Sequence, residues 1–189
     1  MDTTTNASLV SLVKDQKVNL TKGNPGLNNV TVGGGWDVNR GNSGNYDLDL
    51  LAFFLKNDPD TTKYPHGKLA QGTAGVAYFG NKKIAGCELD KDNLTGEGAG
   101  DDERIFVDLS AIPADVDAVM FGVNIYQAKE KAQSFGMVQN AFMRIYDTAA
   151  PQKEHVRYDL TEDYSGNTAI LFGKMYRHNG EWKFQAIGQ

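Results

Sequence analysis

The chain has 189 residues, 40% of them hydrophobic and 23% charged, with 21 glycines and a formal net charge of -5. That length is enough for one domain burying roughly 70% of the surface its unfolded chain would expose, and we read a flexible tail at 1–8 followed by a single domain at 9–189. The charge and the scatter of Lys and Arg argue against nucleic acid as a partner, no run reaches the ~18 apolar residues of a membrane span, and Cys87, the one cysteine, permits no internal disulfide.

Taken in chain order, Met1–Ser8 lacks the basic start and apolar run of a secretory signal, so a cytoplasmic location is expected. From Leu9 onward short segments alternate with Gly, Asn and Asp, and Val18–Leu20 and Val30–Val32 read as strands. Gly33-Gly34-Gly35-Trp36 lacks the third glycine of a dinucleotide fingerprint and reads as a bulge or turn where backbones pack closely. Tyr46–Leu55 begins with alternation and becomes continuously apolar, as when a strand enters the core from an exposed end that carries Asp47 and Asp49. Gly75 and Gly80 have the separation of a phosphate loop, but Asn81 and Lys82 stand where Lys and Ser or Thr are needed. Cys87 is expected to be an inert core residue.

Further on, Ile105–Leu109 alternates and Ala118–Tyr126 reads as a buried central strand. Gln127–Phe135 alone has helical composition, enough for a connector of one or two turns. Ala169–Arg177 and Trp182–Ile187 flank Asn179-Gly180, the residue pair that a tight hairpin demands. Strands at this spacing predict an all-β fold, a sandwich of two mainly antiparallel sheets. His66, His155 and His178 lack ligand spacing and are expected at the surface or in turns, and no Gly-x-Ser-x-Gly elbow supports a serine hydrolase.

The stretch Asp92-Asn93-Leu94-Thr95-Gly96-Glu97-Gly98-Ala99-Gly100-Asp101-Asp102-Glu103 holds five carboxylates and three glycines without a Lys or Arg. Like charges packed this closely repel unless water dilutes them or a cation neutralises them. Gly96, Gly98 and Gly100 let the backbone turn its carbonyls inward, and a hard ion such as Ca²⁺ takes about six to eight oxygens. Asp92 and Glu103 fall at the first and last positions of an EF-hand register, but Leu94 and Gly96 occupy ligand places, Glu97 the glycine place, and strand-like sequence follows. An irregular ion site at one end of a sandwich fits better. Asp47 and Asp49, on one face of a strand with Cα atoms about 6.6 Å apart, can converge on it, and so many carboxylates suit two calcium ions better than one. The alternative is a solvated strand edge beside a polar loop tip.

Tyr46-Asp47-Leu48-Asp49, the acidic loop, Gln133-Ser134-Phe135-Gly136 and Arg157–Asp163 together resemble the TerD family of tellurium-resistance and stress proteins. The likeness runs from about Val10 through Val32–Asp37 to Tyr176–Phe184. It implies a cytoplasmic calcium-binding β-sandwich of bacterial stress response, with Asp47, Asp49, Asp92, Asn93, Thr95, Glu97, Asp101, Asp102 and Glu103 as metal ligands, Thr95 through its carbonyl. Some family members are described as binding cyclic AMP. This chain departs from the family pattern at Leu50-Leu51, at Tyr78–Asn81 and at Lys91, and family members tend to continue past the position of Gln189, so a trimmed or short relative is expected.

Dense carboxylates without a paired nucleophile or base favour a non-enzymatic calcium-binding protein whose ion-loaded face presents a surface to other proteins of a stress-resistance system. A calcium-dependent module docking peripherally on the cytoplasmic membrane face is the alternative. The lack of a basic patch and of exposed apolar residues in the loop counts against it. A two-metal phosphoesterase is opposed by a ligand set without His.

Overall fold

The computed structural model describes residues 15–38, 45–160 and 164–188. The tail at 1–8, the start of the domain at Leu9 and the motif residues Thr161, Glu162 and Asp163 lie outside the described residues.

Thirteen strands form two sheets that pair antiparallel throughout the described residues. One sheet contains β1 (Lys17–Asn19), β3 (Leu48–Lys56), β4 (Lys68–Leu69), β5 (Val76–Ala77), β9 (Ala118–Ile125), β12 (Ala169–His178) and β13 (Glu181–Ala186). Its order is β1-β13-β12-β9-β3-β4, with β5 also on β3. The other contains β2 (Asn29–Gly35), β6 (Lys83–Ile84), β7 (Cys87–Leu89), β8 (Glu103–Asp108), β10 (Phe142–Asp147) and β11 (Ala150–Asp159), in the order β11-β10-β2-β8-β7-β6. The predicted sandwich of mainly antiparallel sheets is the observed fold.

Alternation builds the core between the sheets. Leu48, Leu50, Ala52 and Phe54 of β3 and Val119, Phe121, Val123 and Ile125 of β9 meet Val30 and Val32 of β2, Ile105 and Val107 of β8, and Met143 and Ile145 of β10. Each of these side chains is at most 3% exposed. Phe172 bridges this layer, with Phe121, Phe184 and Tyr158 ring centroids 5.8–6.2 Å away. Burying one such ring contributes roughly 1.5–3 kcal/mol. A smaller cluster of Leu55, Ala118, Met120 and Ile187 lies apart from the main core. That second cluster explains why Ala118–Ile125 reads as continuously apolar: β9 is central and covered on both faces.

The hairpin forms where predicted, with Asn179 and Gly180 at φ +53° and +77°, the left-handed pair of the tight turn that matches strand twist. The helical connector is a single turn, α1 (Ala128–Lys131), bounded by Gln127 and Ala132 at φ +54° and +51°. A 3₁₀ turn at Phe135–Met137 follows, and Phe135 is fully buried.

Three expectations need correction. Gly33-Gly34-Gly35 is neither bulge nor turn: all three pair in unbroken register with β10, and Gly33 and Gly34 also with β8, although the close packing expected there is real. His155 lies half-buried on β11 with its Nε2 enclosed and without a hydrogen-bond partner, not on the surface or in a turn. Short β4–β7 and the longer β10 and β11 were not anticipated, the last two because Arg144, Lys153, Glu154 and Arg157 break up their apolar alternation. Cys87, by contrast, is the expected core residue at 2% exposure, and burial pushes its thiol up to about 12.

Candidate functional site

One end of the sandwich is built from the entry to β3, the loop between β7 and β8, and the segment leaving β9. Carboxylate oxygens of Asp47, Asp49 and Asp92 lie within 4.8 Å of one another. Asp47 and Asp49 are not at an exposed strand end as expected: they are 9% and 3% exposed, and only Asp92 is open to solvent. Pairing explains the difference. β9 lies alongside β3 with Asn124 opposite Asp49, Tyr126 N–H donates to the Asp47 carbonyl at 2.8 Å, and the acidic loop closes over the remaining side.

Burial pushes the Asp49 carboxyl up to about 6, reinforced by the charges of Asp47 and Asp92 and opposed by Asn124 Nδ2, which donates to Oδ2 at 3.3 Å. Burial also raises Asp47, against the attraction of Lys131. Asp47 Oδ1 is enclosed and has no hydrogen-bond partner. An ionised oxygen held in this way is expensive for the fold.

The loop is organised by its own polar groups. Asn93 Oδ1 accepts from the Thr95 and Gly96 amides, each at 3.1 Å, and from the Thr95 hydroxyl at 3.3 Å, a turn that a short amide side chain makes readily. Gly96 has φ +73°, and a Cβ there would stand 2.5 Å from Trp36 Nε1, so only glycine fits. Gly98 and Gly100 also have positive φ, as the sequence predicted. Glu97 is exposed, and its carbonyl accepts from Asn93 Nδ2 at 3.4 Å.

Asp101, Asp102 and Glu103 point in different directions because the chain bends at Asp102 before β8 begins at Glu103, so the two-residue alternation of the strand does not extend back to Asp101. Glu103 faces inward at 1% exposure: Oε2 accepts from the Leu50 amide at 3.0 Å and Oε1 from the Asn93 amide at 3.2 Å, and burial pushes its carboxyl up to about 8. It thereby ties β3 to the start of the loop. Asp102, raised by burial, accepts from the Trp36 amide at 2.9 Å and from Asn93 Nδ2 at 3.0 Å. Asp101 turns to the outer face of the second sheet and is gripped by Arg144 and Tyr146. Of the nine sequence candidates, then, Asp47, Asp49 and Asp92 converge, Glu103 and Asp102 buttress them, Asn93 and Thr95 shape the loop, Glu97 stands in solvent and Asp101 is engaged elsewhere.

Asn124 and Arg144 were not singled out as site residues in the sequence, and Trp36 and Lys131 entered only as parts of the glycine run and of the helical connector. Asn124 could have been found by pairing the two strands around Asp49; Arg144 carried no local signal. The loop also differs from expectation in exposing an apolar side chain: Leu94 is 56% exposed. Phe79, at 44%, and Tyr126, at 38%, stand edge to face with centroids 5.8 Å apart.

A family model described as TerD domain matches residues 9–189. The chain is 45% identical over 185 residues to General stress protein 16U of Bacillus subtilis (strain 168), covering 95% of this chain and 89% of that protein. It is 45% identical over 181 residues to Tellurium resistance protein TerD of Alcaligenes sp, with 95% and 89% covered. A crystal structure of a protein of unknown function, SAV2460, superposes with a TM-score of 0.71 at 25% identity, over 87% of this chain and 89% of the other.

Proposed function

The chain belongs to the TerD family of tellurium-resistance and stress proteins, and from that premise we propose that it is a non-enzymatic, cytoplasmic calcium-binding protein whose ion-loaded end presents a surface to other proteins of a stress-resistance system. The observation that carries the reading is the convergence of Asp47, Asp49 and Asp92 around an enclosed, unpartnered Asp47 oxygen. A bound cation supplies the missing partner and offsets both the burial that chiefly raises Asp49 and the repulsion from Asp47 and Asp92 that adds to it. The donor set is all oxygen, which suits Ca²⁺ and disfavours softer metals. Asp47, Asp49 and Asp92 would hold the first ion. Asp102, Glu103, Glu97 and the oxygens of Asn93 and Thr95 complete a set whose charge accommodates two. When bound, the ions supply positive charge that lets these carboxylates ionise together without repulsion.

The test is thermal unfolding in chelator, Mg²⁺ and Ca²⁺, followed by calorimetric titration. Ligand at about a hundred times its dissociation constant adds roughly 2.7 kcal/mol per site. A Ca²⁺-selective rise with about two ions bound, abolished in Asp49→Ala, is the expected result. No shift with any cation would overturn the reading.

Exposed Leu94 in the loop favours a second reading, calcium-dependent docking on an anionic membrane surface, because an apolar tip beside a cation site can enter a headgroup layer. Sedimentation with phosphatidylserine vesicles that is Ca²⁺-dependent and lost in Leu94→Ser would establish it; equal sedimentation with and without Ca²⁺ would dismiss it.

A further inference from the structure

We propose that Arg144 is the positioning residue of the acidic loop and that Asp101 is the loop's anchor to it, not a metal ligand; the inference rests on the calcium reading above. Asp101 Oδ1 accepts from Arg144 Nε at 2.6 Å, and Oδ2 accepts from Arg144 Nη2 at 2.9 Å and from the Tyr146 hydroxyl at 2.8 Å. This is the planar two-pronged match of guanidinium and carboxylate, whose charge-assisted bonds are roughly twice as strong as neutral ones. The pair is largely out of water, with the Asp101 side chain 4% and the Arg144 side chain 17% exposed. A carboxylate so engaged has little charge left to offer a cation.

Arg144 is itself fixed from three sides. Its Nη1 donates to Glu154 Oε1 at 2.7 Å, its guanidinium stacks 4.4 Å above the Tyr146 ring, and β10 holds it in register with Gly33 of β2. Gly33 leaves the space that Asp101 fills, since a Cβ there would stand 2.4–2.6 Å from the Asp101 carboxyl atoms. The Asp102 amide then donates to the Gly34 carbonyl at 2.8 Å. Asp101 and Glu103, two residues apart, would share one face of a regular strand; the chain bends at Asp102, and with Asp101 held outward that bend brings Glu103 inward as β8 begins. The clamp thus presets Asp102 and Glu103 before any ion arrives, and preset groups bind with less ordering cost.

Electrostatics and positioning predict opposite signs, which makes the inference decisive to test. Arg144 is a cation near a cation site, so if it acted only through charge its removal would tighten Ca²⁺ binding. As a positioning residue its removal must weaken it. We expect Arg144→Ala, Arg144→Lys and Asp101→Ala each to weaken Ca²⁺ about tenfold by calorimetry at a temperature where all are folded. Stoichiometry should be unchanged, and the double variant Asp101→Ala/Arg144→Ala no worse than either single one. Arg144→Lys keeps the charge and the fold while removing the fork, so it guards against failure of the alanine variant to fold. Loss of one bound ion in Asp101→Ala, or unchanged or tighter binding in the Arg144 variants, would overturn the proposal. Hydrogen exchange of the Gly96–Gly100 amides in chelator separates the two readings. Faster exchange in Arg144→Lys than in wild type supports the anchor even if wild type binds no Ca²⁺, a result that would sink the calcium reading alone; equal exchange overturns the anchor.

Discussion

Gly33→Ala should destabilise the protein through Asp101, 68 residues away in sequence (from 33 to 101). The added methyl would sit 2.4 Å from Asp101 Cγ, and that carboxylate cannot simply swing aside because Arg144 and Tyr146 hold both oxygens. Moving it forfeits three bonds to a charged group, each contributing about 1.5–3 kcal/mol. Part is regained when water reaches the partly exposed guanidinium, which leaves about 3 kcal/mol, near the lower end for breaking a buried ion pair. Replacing a strand glycine by alanine returns roughly 0.5–1 kcal/mol of backbone entropy. The net loss is then about 2–2.5 kcal/mol, a fall in Tm of roughly 4–10 °C for a domain of this size. Urea unfolding in chelator measures it without any contribution from bound ion. The same substitution in an Asp101→Ala background has nothing to collide with and should be neutral or stabilising by up to ~1 kcal/mol, so the two sites couple strongly. An equal loss in both backgrounds would refute the reasoning.

Two further outcomes follow from burial. The folded Asp49 carboxyl lies at about 6 against 3.8 as its ordinary value, so its contribution to stability is complete below the unfolded value and disappears as pH rises through about 6. Asp49→Asn should therefore unfold at higher urea than wild type at about pH 8 in chelator, by up to about 3 kcal/mol, with the advantage gone near pH 4; a variant less stable at the higher pH would show that the charge is already compensated. Cys87, at 2% exposure with its thiol pushed up to about 12, should resist maleimide in the native protein at neutral pH and react fully once unfolded, whereas stoichiometric native labelling within minutes would contradict its placement in the core.

How far the sequence reaches depends on how local the cause is. Asn179-Gly180 declares its turn because only residues tolerant of positive φ fit it, and Gly96, Gly98 and Gly100 do so for the loop. Ile105–Leu109 and Ala118–Tyr126 declare strands through the spacing of their apolar residues, and the sandwich follows from many such segments. The carboxylates that meet were legible as a set because residue type restricts what can hold a hard cation. Which of them meet was not. Asp47 and Asp49 are buried because β9 and the loop lie on either side of β3, a fact of sheet assembly. Gly33-Gly34-Gly35 carries no apolar alternation yet runs through the middle of a sheet, because the loop packs against it. Asp101 reads like its neighbours, but only the pairing of β2 with β10 brings Arg144 to it from 43 residues away. Composition and short-range spacing settle which chemistry the chain can support; strand order and register settle which atoms share it, since burial and charge compensation depend on neighbours that are distant in sequence.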